Sequence, residues 1–186
     1  MKRLFDFVTA TMLVILFAVP MLLIVVAVRL TSKGPALYWS DRVGRFNIIF
    51  KMSKFRSMKV DTPDIATHLM TSPEAFLSPI GTFLRRFSLD ELPQLFSILK
   101  GDMSFVGPRP ALFNQEDLIA LRTEKGVDKL LPGVTGWAQV NGRDKLSIPE
   151  KVDLDEEYLN HQSFWFDLKI LWITLLKVIR QENVSH

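Results

Sequence analysis

The sequence predicts an α+β protein, mostly helical, built on an N-terminal membrane segment. Three observations carry this reading. No charged residue occurs between Val8 and Val28. One pair of segments rich in Tyr, Trp, Ile and Phe flanks the short run Val43-Gly-Arg-Phe46. Helices are expected in most of the remaining segments, the last of them with a clear apolar stripe at helical spacing.

Composition bounds the rest. The chain has 186 residues, 48% of them hydrophobic, which suits one domain or one domain plus a membrane anchor. A net charge of +3 fits anionic headgroups or phosphate ligands and is too small to argue for nucleic acid. There is no cysteine, so disulfides, thiolate metal sites and cysteine nucleophiles are excluded. His68, His161 and His186 lack ligand spacing, which speaks against a histidine-built metal site.

As a helix, Val8–Val28 would be roughly 31 Å long, about one bilayer core. Pro20 lies near its middle, where it removes a backbone hydrogen bond and clashes with the preceding turn. Basic residues flank both ends: Lys2 and Arg3 before it, Arg29 and Lys33 after it. Lysine and arginine favour the cytoplasmic side, so residues 1–33 are expected to form a re-entrant helix hairpin that bends at Pro20. A kinked spanning helix is the alternative, because proline is tolerated in such helices. Gly34-Pro35 ends the segment, and residues 34–186 form a single expected domain on the cytoplasmic face.

Ala36–Arg42 and Asn47–Met58 are expected to pair as a β-hairpin. Its second strand bears Lys51, Lys54 and Arg56, with Lys59 just beyond; these either guard a solvated edge or face a phosphate. Val60–Pro79, with Pro63, Pro73 and Pro79, is expected to be a surface excursion holding at most one short helix. Helices are expected at Ile80–Arg86, Leu92–Leu99, Gln115–Lys125 and Pro149–Asn160. In Phe164–Gln181, Asp167, Thr174, Lys177 and Gln181 share one helical face. Trp165, Leu168, Trp172, Leu175 and Ile179 form an apolar stripe. That pattern suits an amphipathic helix lying in the membrane interface or one packed on a soluble core.

The most informative run is Phe87-Ser-Leu-Asp-Glu-Leu-Pro-Gln-Leu95. Ser88 and Glu91 have the spacing of a capping box, and Asp90 would then sit in a first helical turn, where negative charge is favoured. The surroundings offer a second reading. Pro93 makes the backbone irregular, Arg85 and Arg86 precede the acidic pair, and Gly107-Pro-Arg-Pro110 presents a guanidinium from a stiff loop suited to bidentate phosphate binding. A carboxylate can attack phosphorus, Mg²⁺ prefers carboxylates plus phosphate oxygens, and arginines neutralise phosphates. Asp90, Glu91 and these cations together make a minimal phosphoryl-transfer set.

In this setting the sequence closely resembles the monotopic phosphoglycosyl transferases, the bacterial sugar transferase family, in its minimal catalytic-unit form. The matching residues are Lys2-Arg-Leu-Phe-Asp6, the membrane segment with central proline, Arg42-Val-Gly-Arg45, Lys54-Phe-Arg-Ser-Met58 and Ser88-Leu-Asp-Glu-Leu-Pro-Gln-Leu95. They continue through Lys100-Gly-Asp-Met-Ser104, Gly107-Pro-Arg-Pro110, Pro132-Gly-Val-Thr-Gly-Trp-Ala-Gln-Val-Asn-Gly-Arg143 and Asp167-Leu-Lys169. The family often has serine before the helix-breaking proline, where this chain has Val19.

The resemblance implies that Asp90 attacks the β-phosphate of a UDP-sugar, releases UMP and holds the sugar-phosphate covalently. Polyprenyl (undecaprenyl) phosphate then displaces Asp90. Glu91, with Asp90, would hold Mg²⁺. Lys54, Arg85, Arg109, Arg143 and Asp167 would line the substrate site. The donor is expected to be N-acetylated, with a hexose-1-phosphate transferase as alternative, and the location is the cytoplasmic face of the bacterial inner membrane. The glycan, the polyprenol length and homo-oligomerisation stay open. A membrane-anchored scaffold or nucleotide-sugar binding protein without turnover is the rival from another class.

Overall fold

The computed structural model describes residues 1–60, 62, 73–142 and 145–180. It is mostly helical, with one antiparallel and one parallel pair of short strands.

Helix α1 runs from Lys2 to Thr31 as one element. Asp6, Ala10, Met21, Ile24 and Val28 are buried, and Leu13, Val14 and Phe17 pack between them. The three- and four-residue steps keep this stripe on one face. Its first half meets Phe50, Met52, Leu95, Ile98 and Met103; its second half meets Ala36, Phe55 and Leu84. The opposite face, with Leu4, Met12, Ile15, Leu16, Val19, Leu22, Leu23 and Leu30, is exposed.

The residues on either side of Pro20 are helical, and the helix runs through it as one element. An interior proline costs about 3 kcal/mol. Burial of Met21 and Ile24 just beyond it returns roughly 1.5–3 kcal/mol each, enough to keep the turn wound. Both ends of α1 nevertheless rest on the same body. Near the N-terminus, Arg3 donates to the carbonyls of Ile98 and Leu99, where the ending of another helix favours a cation. At the other end Ser32 Oγ accepts from Arg56.

Strands β1 (Leu37–Val43) and β2 (Ile49–Phe55) form the expected antiparallel hairpin, with Tyr38 opposite Lys54 and Val43 opposite Ile49. Alternation on β2 sends Phe50 and Met52 into the core. The excursion expected over Val60–Pro79 lies mostly outside the described residues; its end is a 3₁₀ turn, Pro73–Phe76. Helix α2 spans Gly81–Arg86 and α3 spans Gln94–Lys100.

Two three-residue strands escaped the sequence reading: β3 (Ser104–Val106) pairs in parallel with β4 (Gly133–Thr135). Helix α4 covers Glu116–Glu124, α5 Trp137–Asn141, α6 Ile148–His161 and α7 Phe164–Ile179. The core between them gathers Val106, Val127, Leu130, Val140, Tyr158 and Ile170.

Helix α7 turns its polar face inward. Asp167 is buried, Thr174 and Thr135 hydroxyls lie 2.7 Å apart, and Lys177 donates to the Val140 carbonyl. Trp165 (77% exposed), Trp172 (62%), Leu175 and Ile179 face outward. Ile170 of the same helix is fully buried, so α7 packs on the core and also leaves an apolar face outside it. Phe5 of α1 meets Phe164 of α7 edge to face at 5.5 Å, joining the two exposed apolar faces.

Candidate active site

The acidic pair lies on a single 3₁₀ turn, Leu89–Glu91, between α2 and α3. The capping box expected at Ser88 is absent. Ser88 adopts a left-handed conformation (φ 53°, ψ 24°) and its side chain caps nothing. The same Ser-x-x-Glu pattern at 147–150 does form a capping box and starts α6. The proline explains the difference. Pro149 sits in the first helical turn, where no N–H is needed, whereas Pro93 falls where its N–H would have bonded the Leu89 carbonyl. Helix cannot start at Leu89, and one tight turn remains to present two carboxylates.

Freed from capping, Glu91 Oε1 accepts from Lys54 Nζ at 3.0 Å and from Arg109 Nη2 at 3.3 Å. Asp90 is buried, 7% exposed, and among the described residues no cation forms an ion pair with it. Burial, the largest influence, raises its carboxyl to about 6, with Glu91 adding to the rise and Lys54 and Arg85 opposing it. Two neighbouring carboxylates are thus held in different states: one neutralised by cations, the other desolvated and near neutrality in its titration.

Of the four basic residues on or beside β2, only Lys54 reaches this site. Lys51 pairs with Asp41, Arg56 with Ser32, and Lys59 with the Ala75 carbonyl. Burial pulls the Lys54 ammonium below the ordinary lysine range, while Glu91 pushes it up. Arg85, on the last turn of α2, donates to Ser57 Oγ at 3.1 Å and feels the charges of both Asp90 and Glu91. Ser57 carried no signal in the sequence that tied it to this arginine.

Arg109 projects from a loop whose carbonyls are held one after another. The Val106 carbonyl accepts from Lys2, that of Pro108 from the Gly133 N–H, that of Arg109 from Arg122, that of Pro110 from Arg42 and that of Ala111 from the Val43 N–H. Gly107 is required by close approach: a Cβ there would lie 2.2 Å from the Leu131 carbonyl oxygen. Pro108 and Pro110 fix two φ angles, so the backbone beneath the Arg109 guanidinium has little freedom.

Asp167 lies in a second cluster. Its carboxylate is 2.6 Å from Lys2 Nζ and accepts from the Tyr158 hydroxyl at 2.6 Å. Both oxygens are engaged, tying α7 to the first turn of α1. Burial and Asp167 together push the Tyr158 phenol well above its usual range, so it stays a donor. Arg143 falls outside the described residues.

For a metal, the described part of the site offers the oxygens of Asp90 and Glu91. Among the described residues no group of three or more His, Asp or Glu side chains converges. That donor set fits Mg²⁺, which takes one or two carboxylates and fills its shell with water and substrate phosphate.

The model for bacterial sugar transferases matches residues 1–181. The chain is 41% identical to the uncharacterized sugar transferase EpsL of Bacillus subtilis, over 100% of this chain and 91% of the relative. It is 40% identical to the UDP-glucose:undecaprenyl-phosphate glucose-1-phosphate transferase of Escherichia coli, over 95% of this chain and 40% of the relative. It is 34% identical to the undecaprenyl-phosphate galactose phosphotransferase of Salmonella typhimurium, over 98% of this chain and 41% of the relative. The chain thus spans about two fifths of these two longer enzymes.

Proposed function

The chain belongs to the bacterial sugar transferase family, and from that premise we propose that it moves a sugar-1-phosphate from a UDP-sugar to undecaprenyl phosphate. The observation that carries this reading is the contrast within the acidic pair. Asp90 is a buried carboxylate with which no described cation forms an ion pair, beside a Glu91 already bound by Lys54 and Arg109.

In the first step an Asp90 oxygen attacks the β-phosphorus. A phosphorus–oxygen bond forms to the carboxylate, the bond to the UMP oxygen breaks, and UMP leaves with the bonding pair. In the second step an oxygen of the lipid phosphate attacks the same phosphorus and expels the Asp90 carboxylate. At pH 7 a carboxyl titrating near 6 is mostly ionised and ready as nucleophile, and desolvation raises its basicity. Arg109 and Lys54 swing part of their charge from Glu91 to the incoming phosphates, and Arg85 adds to the positive field around Asp90. Mg²⁺ held by Glu91 and Asp90 would neutralise charge on the diphosphate. Asp167 contributes by seating α1 and α7.

Relatives are named for glucose and galactose donors. Nothing in the geometry favours an N-acetylated donor over these, so the donor is a UDP-hexose or its N-acetylated counterpart. Membrane attachment rests on α1, whose most apolar stretch has mean hydropathy 3.0 and is only 11% buried. Because both ends of α1 lie on one body, entry and exit on the same, cytoplasmic, face is the arrangement we favour over a span, with α7 lying in the interface.

The test is UMP release by the purified protein supplied with undecaprenyl phosphate, Mg²⁺ and a panel of UDP-sugars, with and without chelator. The proposal expects release with at least one donor and its loss on chelation. Tight nucleotide-sugar binding without any UMP would leave a non-catalytic binding protein instead.

A further inference from the structure

Arg122 and Asp155 belong to none of the motifs that drew attention in the sequence, and neither touches the acidic pair. Arg122 is on α4 and Asp155 on α6, with side chains 12% and 1% exposed. Arg122 Nε and Nη2 both donate to Asp155 Oδ2, at 3.0 and 2.6 Å. The remaining guanidinium nitrogen, Nη1, donates to the carbonyl of Arg109 at 2.8 Å. Burying an ion pair this deeply brings little stability in itself, because desolvating both charges offsets their attraction. What the pair does achieve is geometric: a planar fork, fixed at one end by a buried carboxylate, holds one backbone carbonyl in place.

That carbonyl belongs to the residue whose guanidinium reaches Glu91 at 3.3 Å. We infer that Arg122, anchored by Asp155, is a positioning residue that sets where the Arg109 guanidinium meets the phosphates. Lysine at position 122 keeps the charge and can reach Asp155 but has no planar fork to serve both partners, so Arg122→Lys isolates the positioning role. The inference rests on the function proposed above, and one arm of its test does not.

The enzymatic arm is a double-mutant cycle of Arg122→Lys and Arg109→Lys, read as the UMP-release rate of protein with a verified thermal transition. Arg122→Lys is expected to slow the wild-type background by on the order of tenfold or more, through a displaced guanidinium. In the Arg109→Lys background it should cost less than about threefold, because residues acting as a unit are not additive. The substrate-free arm is the arginine side-chain Nε–H resonance of Arg109, assigned by its loss in Arg109→Lys. It should shift or broaden in Arg122→Lys while the other arginine signals outside the Arg122 contacts hold still. Equal losses in both backgrounds, or an unmoved Arg109 resonance, would overturn the inference. If Arg122→Lys does not fold, Asp155→Asn goes through the same two arms with the same two outcomes. Absence of UMP release by the wild-type protein with every donor would count against the proposed function, and the resonance would still decide the role of Arg122.

Discussion

The Lys54 ammonium lies 3.0 Å from Glu91, not from Asp90. A cation placed between two adjacent carboxylates has thus been committed to one of them, and Arg109 makes the same choice. Among the described residues no cation forms an ion pair with the buried Asp90, which leaves its oxygens open to attack phosphorus.

This predicts the acid limb of the pH profile. The reacting form of Asp90 is ionised, and its carboxyl is raised to about 6. The single-turnover rate of UMP release should fall as the pH drops through about 6 and level off above it. Lys54 opposes the rise and Glu91 adds to it. Lys54→Met should therefore move the limb to higher pH and Glu91→Gln to lower pH, both at reduced rates. Shifts in the same direction in the two variants would contradict the assignment.

Asp167 should prove structural. Removing it leaves Lys2 without its countercharge beside Tyr158, at a cost of about 2–4 kcal/mol. Thermal unfolding of Asp167→Ala should fall by several degrees, while the KM for the UDP-sugar in folded protein stays near wild type. An unchanged transition with a large rise in KM would return Asp167 to the substrate site.

The outward face of α7 should bind lipid. Trp165→Gln combined with Trp172→Gln removes mostly exposed apolar area and one edge contact of Trp165 with Phe164, so the unfolding transition should move little. Partitioning to anionic vesicles should weaken by on the order of tenfold. Equal partitioning of the double variant and wild type would show that this face does not enter the interface.

Much of this was legible in the residues. The hairpin was legible from its two aromatic-rich segments around Val43–Phe46, and α7 from its periodicity, because those patterns are local. The parallel pairing of β3 with β4 was not, since three-residue strands show no alternation and their partner is distant in sequence. Arg109, Lys54 and Glu91 were legible as charged groups near the acidic run. Their mutual commitment was not, because it depends on how β2 and the Gly107–Pro110 loop approach the turn. The capping box at Ser88 failed for a reason that is local after all: the place of Pro93 relative to Glu91. The placement of Asp167 with Lys2 could not be foreseen, since it joins the two ends of the chain.

The nucleophile itself is tested most directly by incubating the protein with UDP-sugar in the absence of lipid acceptor and mapping the adduct by peptide mass. The account predicts one phosphosugar on the peptide holding Asp90, discharged when undecaprenyl phosphate is added and absent in Asp90→Asn. An adduct on another residue, or undiminished UMP release by Asp90→Asn, would contradict it.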